Sequence, residues 1–145
     1  MAGKIPALGG TFEFGHNVSH AYFAQDQNES FDEDMNIIDN MMNLEMLCWA
    51  SSQTGDPGFK DIAISHASRT LTNHFRADAS SFHVVDYDPV TGAVRGKQTH
   101  QGFSDSSAWA RGQAWGLYGY TVMFRETGDT NYLAQAARIA KFIMN

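Results

Sequence analysis

Several large classes of protein are excluded by what this sequence lacks. One cysteine, Cys48, stands among 145 residues, so no internal disulfide forms and the redox compartment stays open. It lies between Leu47 and Trp49 in an apolar run, the setting of a small buried hydrophobe rather than a nucleophile. Basic residues number 10 against 16 acidic ones, for a net charge of −6. With no basic stripe, a nucleic-acid partner is excluded. A negative total leaves room for an anionic small substrate, because one arginine sets the local field of a pocket. No apolar run approaches the length of a membrane span, and the first ten residues lack the apolar core of a signal peptide. What is present is globular in character: 43% of residues are apolar and 18% charged, in a chain long enough for one domain with a real core.

Residues 1–34 are rich in Gly, Asn, Gln, Ser and acidic residues and read as irregular, with a short strand at Thr11-Phe12-Glu13-Phe14. His16 and His20 are four apart, but no third ligand stands at a recognisable spacing, so they read as surface histidines and no metal site is assigned. A helix is expected from about Asp34 to the turn Thr54-Gly55-Asp56-Pro57-Gly58. Met35, Ile38, Met42, Leu44, Met46, Leu47 and Trp49 make it apolar nearly all round, the mark of a buried helix. A second helix is expected from about Phe59 to Phe75, with Phe59, Ile62, Ala63 and Ala67 at helical spacing. Two β-prone runs, Ser80–Tyr87 and Ala93–His100, flank a Pro and Gly turn and read as a β-hairpin. A third helix starts near Asp105 to Ala108 and runs to about Arg125. A fourth covers Tyr132 to Met144.

The densest stretch is Gln101-Gly-Phe-Ser-Asp-Ser-Ser-Ala-Trp-Ala-Arg-Gly-Gln-Ala-Trp115. Trp109 and Trp115 offer flat apolar faces. Arg111 offers a fork of donors that matches a carboxylate. Gln101 and Gln113 both donate and accept hydrogen bonds. These are the parts needed to hold a sugar ring bearing an acid group. Arg111, Trp115, Tyr118 and Val122 share one helical face. Gly112, Gly116 and Gly119 form another stripe, which points to close approach of a second backbone. Trp109, two residues before Arg111, points away from it on a regular helix, so either the helix starts after Trp109 or Trp109 lines a different wall.

The chain also echoes itself. Thr54-Gly-Asp-Pro-Gly-Phe59 resembles Thr127-Gly-Asp-Thr-Asn-Tyr132, and Ala63 and Ala67 answer Ala136 and Ala140. A repeated unit of helix, Thr-Gly-Asp turn and helix suggests a solenoid or a closed ring of hairpins. Two such units are too few for a ring, so the chain reads as part of a longer protein.

Among acidic groups, Asp39 is the candidate for chemistry, since apolar neighbours favour a protonated carboxyl able to act as a general acid. The competing reading, a helix N-cap, is the commoner one for Asp on pattern alone. His83 and His100 are each open to two readings, an ordinary hydrogen-bonded histidine or a substrate donor. Arg111 is open to an ion pair with Asp105 or Glu126, or to a pocket role. A second carboxylate, which ordinary glycosidases place across the scissile bond, is not found in a matching setting.

Ile37-Ile-Asp-Asn-Met-Met-Asn-Leu-Glu-Met-Leu-Cys-Trp-Ala50, taken with the stretch from Gln101 to Gly119, resembles the unsaturated glucuronyl hydrolases (glycoside hydrolase family eighty-eight). The resemblance spans roughly Asp34 to the C-terminus. It implies a mainly α fold, part of an (α/α)6 toroid of helical hairpins with one β-hairpin insertion, and a single catalytic domain of which residues 1–145 are a fragment. It implies removal of a 4,5-unsaturated uronic acid from the non-reducing end of lyase-generated oligosaccharides, by hydration of the C4=C5 double bond. Asp39 matches the catalytic aspartate of that family, and His83, Gln101, Trp109, Arg111 and Trp115 match substrate-binding positions. A further aspartate of the family lies in an upstream segment that this chain lacks. No metal or organic cofactor is implied, because protonating an enol ether needs an acid and a water. The alternatives are the related unsaturated rhamnogalacturonyl hydrolases and a non-catalytic helical-repeat module that binds acidic sugars or a protein.

Overall fold

The computed structural model describes residues 35–145. The strand expected at Thr11–Phe14 and the histidines His16 and His20 lie outside the described residues. The element order is β1 (Met35–Ile37), a 3-10 helix (Ile38–Asn43), α1 (Leu44–Thr54), α2 (Pro57–Asn73), β2 (Val84–Tyr87), β3 (Val94–Gln98), α3 (Ala110–Thr127) and α4 (Thr130–Met144). The fold is mainly helical, built of helical hairpins with a small sheet between them, as expected for part of an α/α toroid.

The expected first helix is three elements. Its start pairs as a strand with β2, antiparallel, with Ile37 opposite Val84. The chain then tightens through the 3-10 helix before α1 begins. Nor is α1 buried all round. Leu44 and Cys48 are buried, whereas Met46 is 49% and Trp49 62% exposed. Apolarity on several faces therefore did not mean burial on several faces. On α2 the alanines Ala63 and Ala67 face the core with Thr70, but Ile62 is 58% exposed. The β-hairpin of β2 and β3 forms as expected, and β1 adds a third strand in the order β1-β2-β3.

The sequence echo is a structural repeat. Gly55 and Gly128 both close a helix in the left-handed conformation, at φ 74° and 73°, where glycine carries no Cβ penalty. Thr54 and Thr127 each donate their hydroxyl to the carbonyl four residues back, of Ala50 and Met123. Asp56 and Asp129 each cap the following helix, accepting from Gly58 N–H at 2.8 Å and Asn131 N–H at 2.9 Å. The same turn chemistry thus joins α1 to α2 and α3 to α4.

The core lies between these hairpins. Tyr120 and Met123 of α3, Ala136 and Ile139 of α4, Ala63 and Ala67 of α2, and Ile38 and Met41 of the 3-10 helix pack as one cluster. Two tyrosine hydroxyls of this cluster find partners: Tyr120 donates to the Ala67 carbonyl at 3.0 Å, and the Tyr132 hydroxyl lies 2.9 Å from that of Ser68. The glycine stripe of α3 is the contact surface for the 3-10 helix. A Cβ on Gly112 would stand 2.7 Å from Ile38 Cγ2, and one on Gly119 would stand 2.7 Å from Met41 Cβ and 2.8 Å from its carbonyl oxygen. At Gly116 the neighbours are side-chain ends, Phe75 Cζ at 3.2 Å and Ile139 Cδ1 at 3.4 Å, which give way more easily.

Two substitutions separate packing from helix propensity. Alanine favours a helix over glycine by about 1 kcal/mol, while forced overpacking costs about 1–3 kcal/mol. Gly119→Ala, which meets backbone, is expected to lower stability in urea denaturation by about 1–2 kcal/mol. Gly116→Ala is expected to stay close to neutral in the same measurement.

Candidate active site

Asp39 sits in the first turn of the 3-10 helix. The N-cap of that helix is Ile37, and no side-chain capping bond is made there. The N-cap reading of Asp39 is therefore wrong. Its neighbours Ile38 and Met41 turn into the core, and its carboxyl turns the other way, toward polar groups. Oδ2 lies 3.6 Å from His83 Nε2, and Oδ1 lies 3.8 Å from Arg111 Nε. The Asp39 side chain is 13% exposed, and its Oδ2 is buried without a hydrogen-bond partner.

Strand pairing places His83 here. The Ile38 N–H donates to the His83 carbonyl at 3.0 Å, continuing the β1–β2 register by one residue. His83 is 3% exposed. Its Nδ1 accepts from the backbone N–H groups of His100 at 3.0 Å and Gln101 at 3.2 Å. On the other side its ring meets Trp109, centroid to centroid 4.3 Å at 44°.

Arg111 and Trp109 come from the start of α3. Trp109 occupies the N-cap position with extended backbone, φ −92° and ψ 119°. That extended residue resolves the expected conflict of direction: Trp109 precedes the helix, and the Arg111 guanidinium lies over its ring at 4.3 Å. Arg111 Nη2 donates to Gln101 Oε1 at 2.6 Å. Its recorded partners are thus Asp39, Gln101 and Trp109, not Asp105 or Glu126. Asp39, His83, Gln101, Trp109 and Arg111 form one connected group.

Trp115 is one turn further along α3, and its ring packs edge-on against Tyr118 at 6.0 Å. Tyr118 in turn donates to Glu45 of α1. A cavity of about 470 Å³ beside α1, lined by Met42, Glu45, Met46, Trp49 and Arg125, is separate from Asp39.

Gln113 does not belong to the wall. It is buried, accepts from Ser81 N–H at 2.6 Å and donates to the Ala79 carbonyl at 3.1 Å. It braces the segment that leads into His83. Arg76, which sequence reasoning missed, does the same from the other side. It donates to the Ser80 hydroxyl, the Ser81 carbonyl and the Asp105 carbonyl, and stacks on Phe82 at 3.8 Å. Between them Ala79 is held at φ 70°, a conformation that costs a non-glycine residue of order 1 kcal/mol. No spacing signal in the sequence marks Arg76. The neighbouring Ser80-Ser81, short hydroxyl residues between two elements, is the only hint of a braced loop.

No protein-family model matches the chain. Among curated proteins it is 53% identical over 108 residues to the unsaturated glucuronyl hydrolase of Formosa agariphila, covering 74% of this chain and 27% of that protein. Among solved structures it matches an unsaturated glucuronyl hydrolase specific for heparin, at 52% identity and TM-score 0.75, covering 77% of this chain and 30% of the other. The chain belongs to the unsaturated glucuronyl hydrolase family. Another member, a variant from Streptococcus agalactiae complexed with dGlcA-GalNAc6S, matches at 38% identity and TM-score 0.60 over 71% of this chain and 27% of that one. The chain thus spans under a third of the length of these unsaturated glucuronyl hydrolases, and the part it spans contains the Asp39 group.

One buried histidine beneath the site gives a pH test. His74 is fully buried, its backbone carbonyl accepts from Phe82 N–H at 2.8 Å, and its Nδ1 lies 3.3 Å from the Phe82 carbonyl. Burial pushes its imidazole from an ordinary 6.5 down to about 3. Below about 6.5 the unfolded chain therefore binds a proton that the folded chain refuses, and each pH unit lowers stability by about 1.4 kcal/mol until the folded ring itself titrates. Stability from urea denaturation is expected to fall by about 2 kcal/mol between pH 6.5 and pH 5 from this residue. His74→Gln is expected to remove that part of the acid limb.

Proposed function

We propose that this chain carries the acid-bearing wall of a glycosidase that releases 4,5-unsaturated uronic acid from the non-reducing end of lyase-generated oligosaccharides. The observation that carries the reading is the Asp39 carboxyl set between His83 and Arg111, with the Trp109 ring alongside. Asp39 serves as the catalytic group. Gln101, Trp109, Arg111 and Trp115 serve as substrate-binding residues, and His83, expected among them, stands against the acid. The guanidinium of Arg111, held by Gln101 and by the indole face, suits the uronate carboxylate. The Trp109 ring offers the apolar face of a sugar a flat support.

The reaction is hydration of an enol ether. Asp39 donates its proton to C4, and the ring oxygen stabilises the cation that develops at C5. A water adds at C5 and returns a proton to the Asp39 carboxylate. The resulting hemiketal opens and expels the remaining sugar from C1. Acid–base assistance of this kind is worth about 10²- to 10⁴-fold in rate. Family membership, and the uronyl disaccharide named with the Streptococcus agalactiae relative, support the substrate class.

The test supplies the remainder of the catalytic domain from a relative. Residues 35–145 replace the matching segment of the Formosa agariphila enzyme, and loss of the double bond's ultraviolet absorbance is followed with unsaturated chondroitin and rhamnogalacturonan disaccharides. Turnover of the chondroitin disaccharide is expected, with Asp39→Asn slowing it by about 10²- to 10⁴-fold. Undiminished turnover in Asp39→Asn overturns the assignment of Asp39. A clear preference for the rhamnogalacturonan disaccharide moves the substrate to the pectin-derived class. A folded chimera inactive on both overturns the reading as a whole.

A further inference from the structure

The hydrogen bonds around His83 fix more than its place. A neutral imidazole has one N–H and one bare nitrogen, and the partner of one nitrogen decides the state of the other. Nδ1 of His83 faces two backbone N–H groups, those of His100 and Gln101, at 3.0 and 3.2 Å. Neither donor can turn away without breaking the loop, so Nδ1 must be the acceptor. The ring proton then sits on Nε2, 3.6 Å from Asp39 Oδ2. That oxygen is sealed from solvent and accepts no hydrogen bond at present. A shift of a few tenths of an ångström brings the two into hydrogen-bond range.

We infer that His83 is a positioning residue whose Nε2–H occupies Asp39 Oδ2, so that Oδ1, the oxygen on the Arg111 side, is the one that delivers and recovers the proton. The assignment of Oδ1 rests on the proposed role of Asp39; the tautomer of His83 does not. The reasoning is one of exclusion. An Nε2–H cannot take a proton from Oδ2, and a buried Oδ2 cannot reach a substrate carbon. Only Oδ1 is left to face the reacting atom. The loop that carries Gln101 and the acid therefore act as a unit. Its backbone N–H groups set the tautomer, the tautomer sets which carboxyl oxygen is occupied, and the Gln101 side chain on the same loop holds Arg111.

The test is nitrogen-15 NMR of the imidazole rings in this 145-residue chain. The expected His83 signature is a bare, hydrogen-bonded Nδ1 and a protonated Nε2. In Asp39→Asn the Nε2 proton is expected to move upfield, because an amide is a weaker acceptor than a carboxylate. An Nδ1-protonated ring, or an Nε2 proton indifferent to Asp39→Asn, overturns the inference. In the spliced enzyme, His83→Asn is expected to lower kcat by roughly 10- to 100-fold, the worth of a hydrogen bond to a charged group, with KM little changed. His83→Gln, whose amide reaches further toward the Nε2 position, is expected to restore part of it. A change in KM alone points to substrate binding and overturns the positioning role. If Asp39→Asn keeps full turnover while the tautomer is as expected, the proposed function fails and the His83–Asp39 pairing stands.

Discussion

The contact on which the site depends is the meeting of α3 with the 3-10 helix across bare glycine positions. Gly112 lies against Ile38, and Gly119 against Met41. These two apolar residues flank Asp39 and Asn40. With both held to the α3 backbone, Asp39 has no face left except the one that opens toward the start of α3. There Arg111, on the turn that begins with Gly112's neighbour, meets it. The same helix therefore fixes the acid and presents the cation. A Cβ at either glycine would meet the 3-10 helix at 2.7 Å, so the present approach of Arg111 Nε to Asp39 Oδ1 at 3.8 Å rests on a seam that has no room for a side chain.

A second, independent constraint comes through the sheet. The β1–β2 register carries Ile38 N–H onto the His83 carbonyl, and residues 79–82 are braced by Gln113 from α3 and by Arg76 from just beyond α2. Asp39 is thus located by helix packing on one side and by strand pairing on the other. Two constraints of different kind give a short 3-10 segment the rigidity that its own hydrogen bonding lacks. The strained Ala79 fits this view, since such backbone persists where the surroundings over-determine it.

Much of the frame was legible because its signals are local. The Thr-Gly-Asp echo needed only turn chemistry, and it forms with matching bonds at residues 54–58 and 127–131. The glycine stripe needed only helical spacing. What was not legible depends on partners distant in sequence. Met35–Ile37 continues the helical apolar pattern and becomes a strand, because β2, nearly fifty residues on, offers a free edge. Met46 and Trp49 read as core, but no described element covers them. Gln113 read as a sugar ligand and is a buried brace, since a glutamine two residues from an arginine gives no sign of the face it occupies. Asp39 is the sharpest case. Its pattern favours a cap over a general acid, and the family resemblance reversed that balance; the structure removes the cap by placing Ile37 at that position.

The arrangement also bears on what the proposed chemistry asks of the Asp39 carboxyl. Ordinary glycoside hydrolysis assigns acid and base to two groups on opposite faces of the sugar, and the groups beside the Asp39 carboxyl are instead His83 and Arg111. Addition of water to an enol ether asks for less. The proton given to C4 is recovered from the water that attacks C5, so one carboxyl completes the cycle if donor and acceptor act from the same side. That requires the carboxyl to hold still while its charge changes. His83 on one oxygen and Arg111 near the other supply hydrogen-bonding and charge complements to the ionised form, and both are themselves fixed, by backbone N–H groups and by an indole face. What the wall contributes is therefore a carboxyl flanked at both oxygens by groups that are themselves held in place.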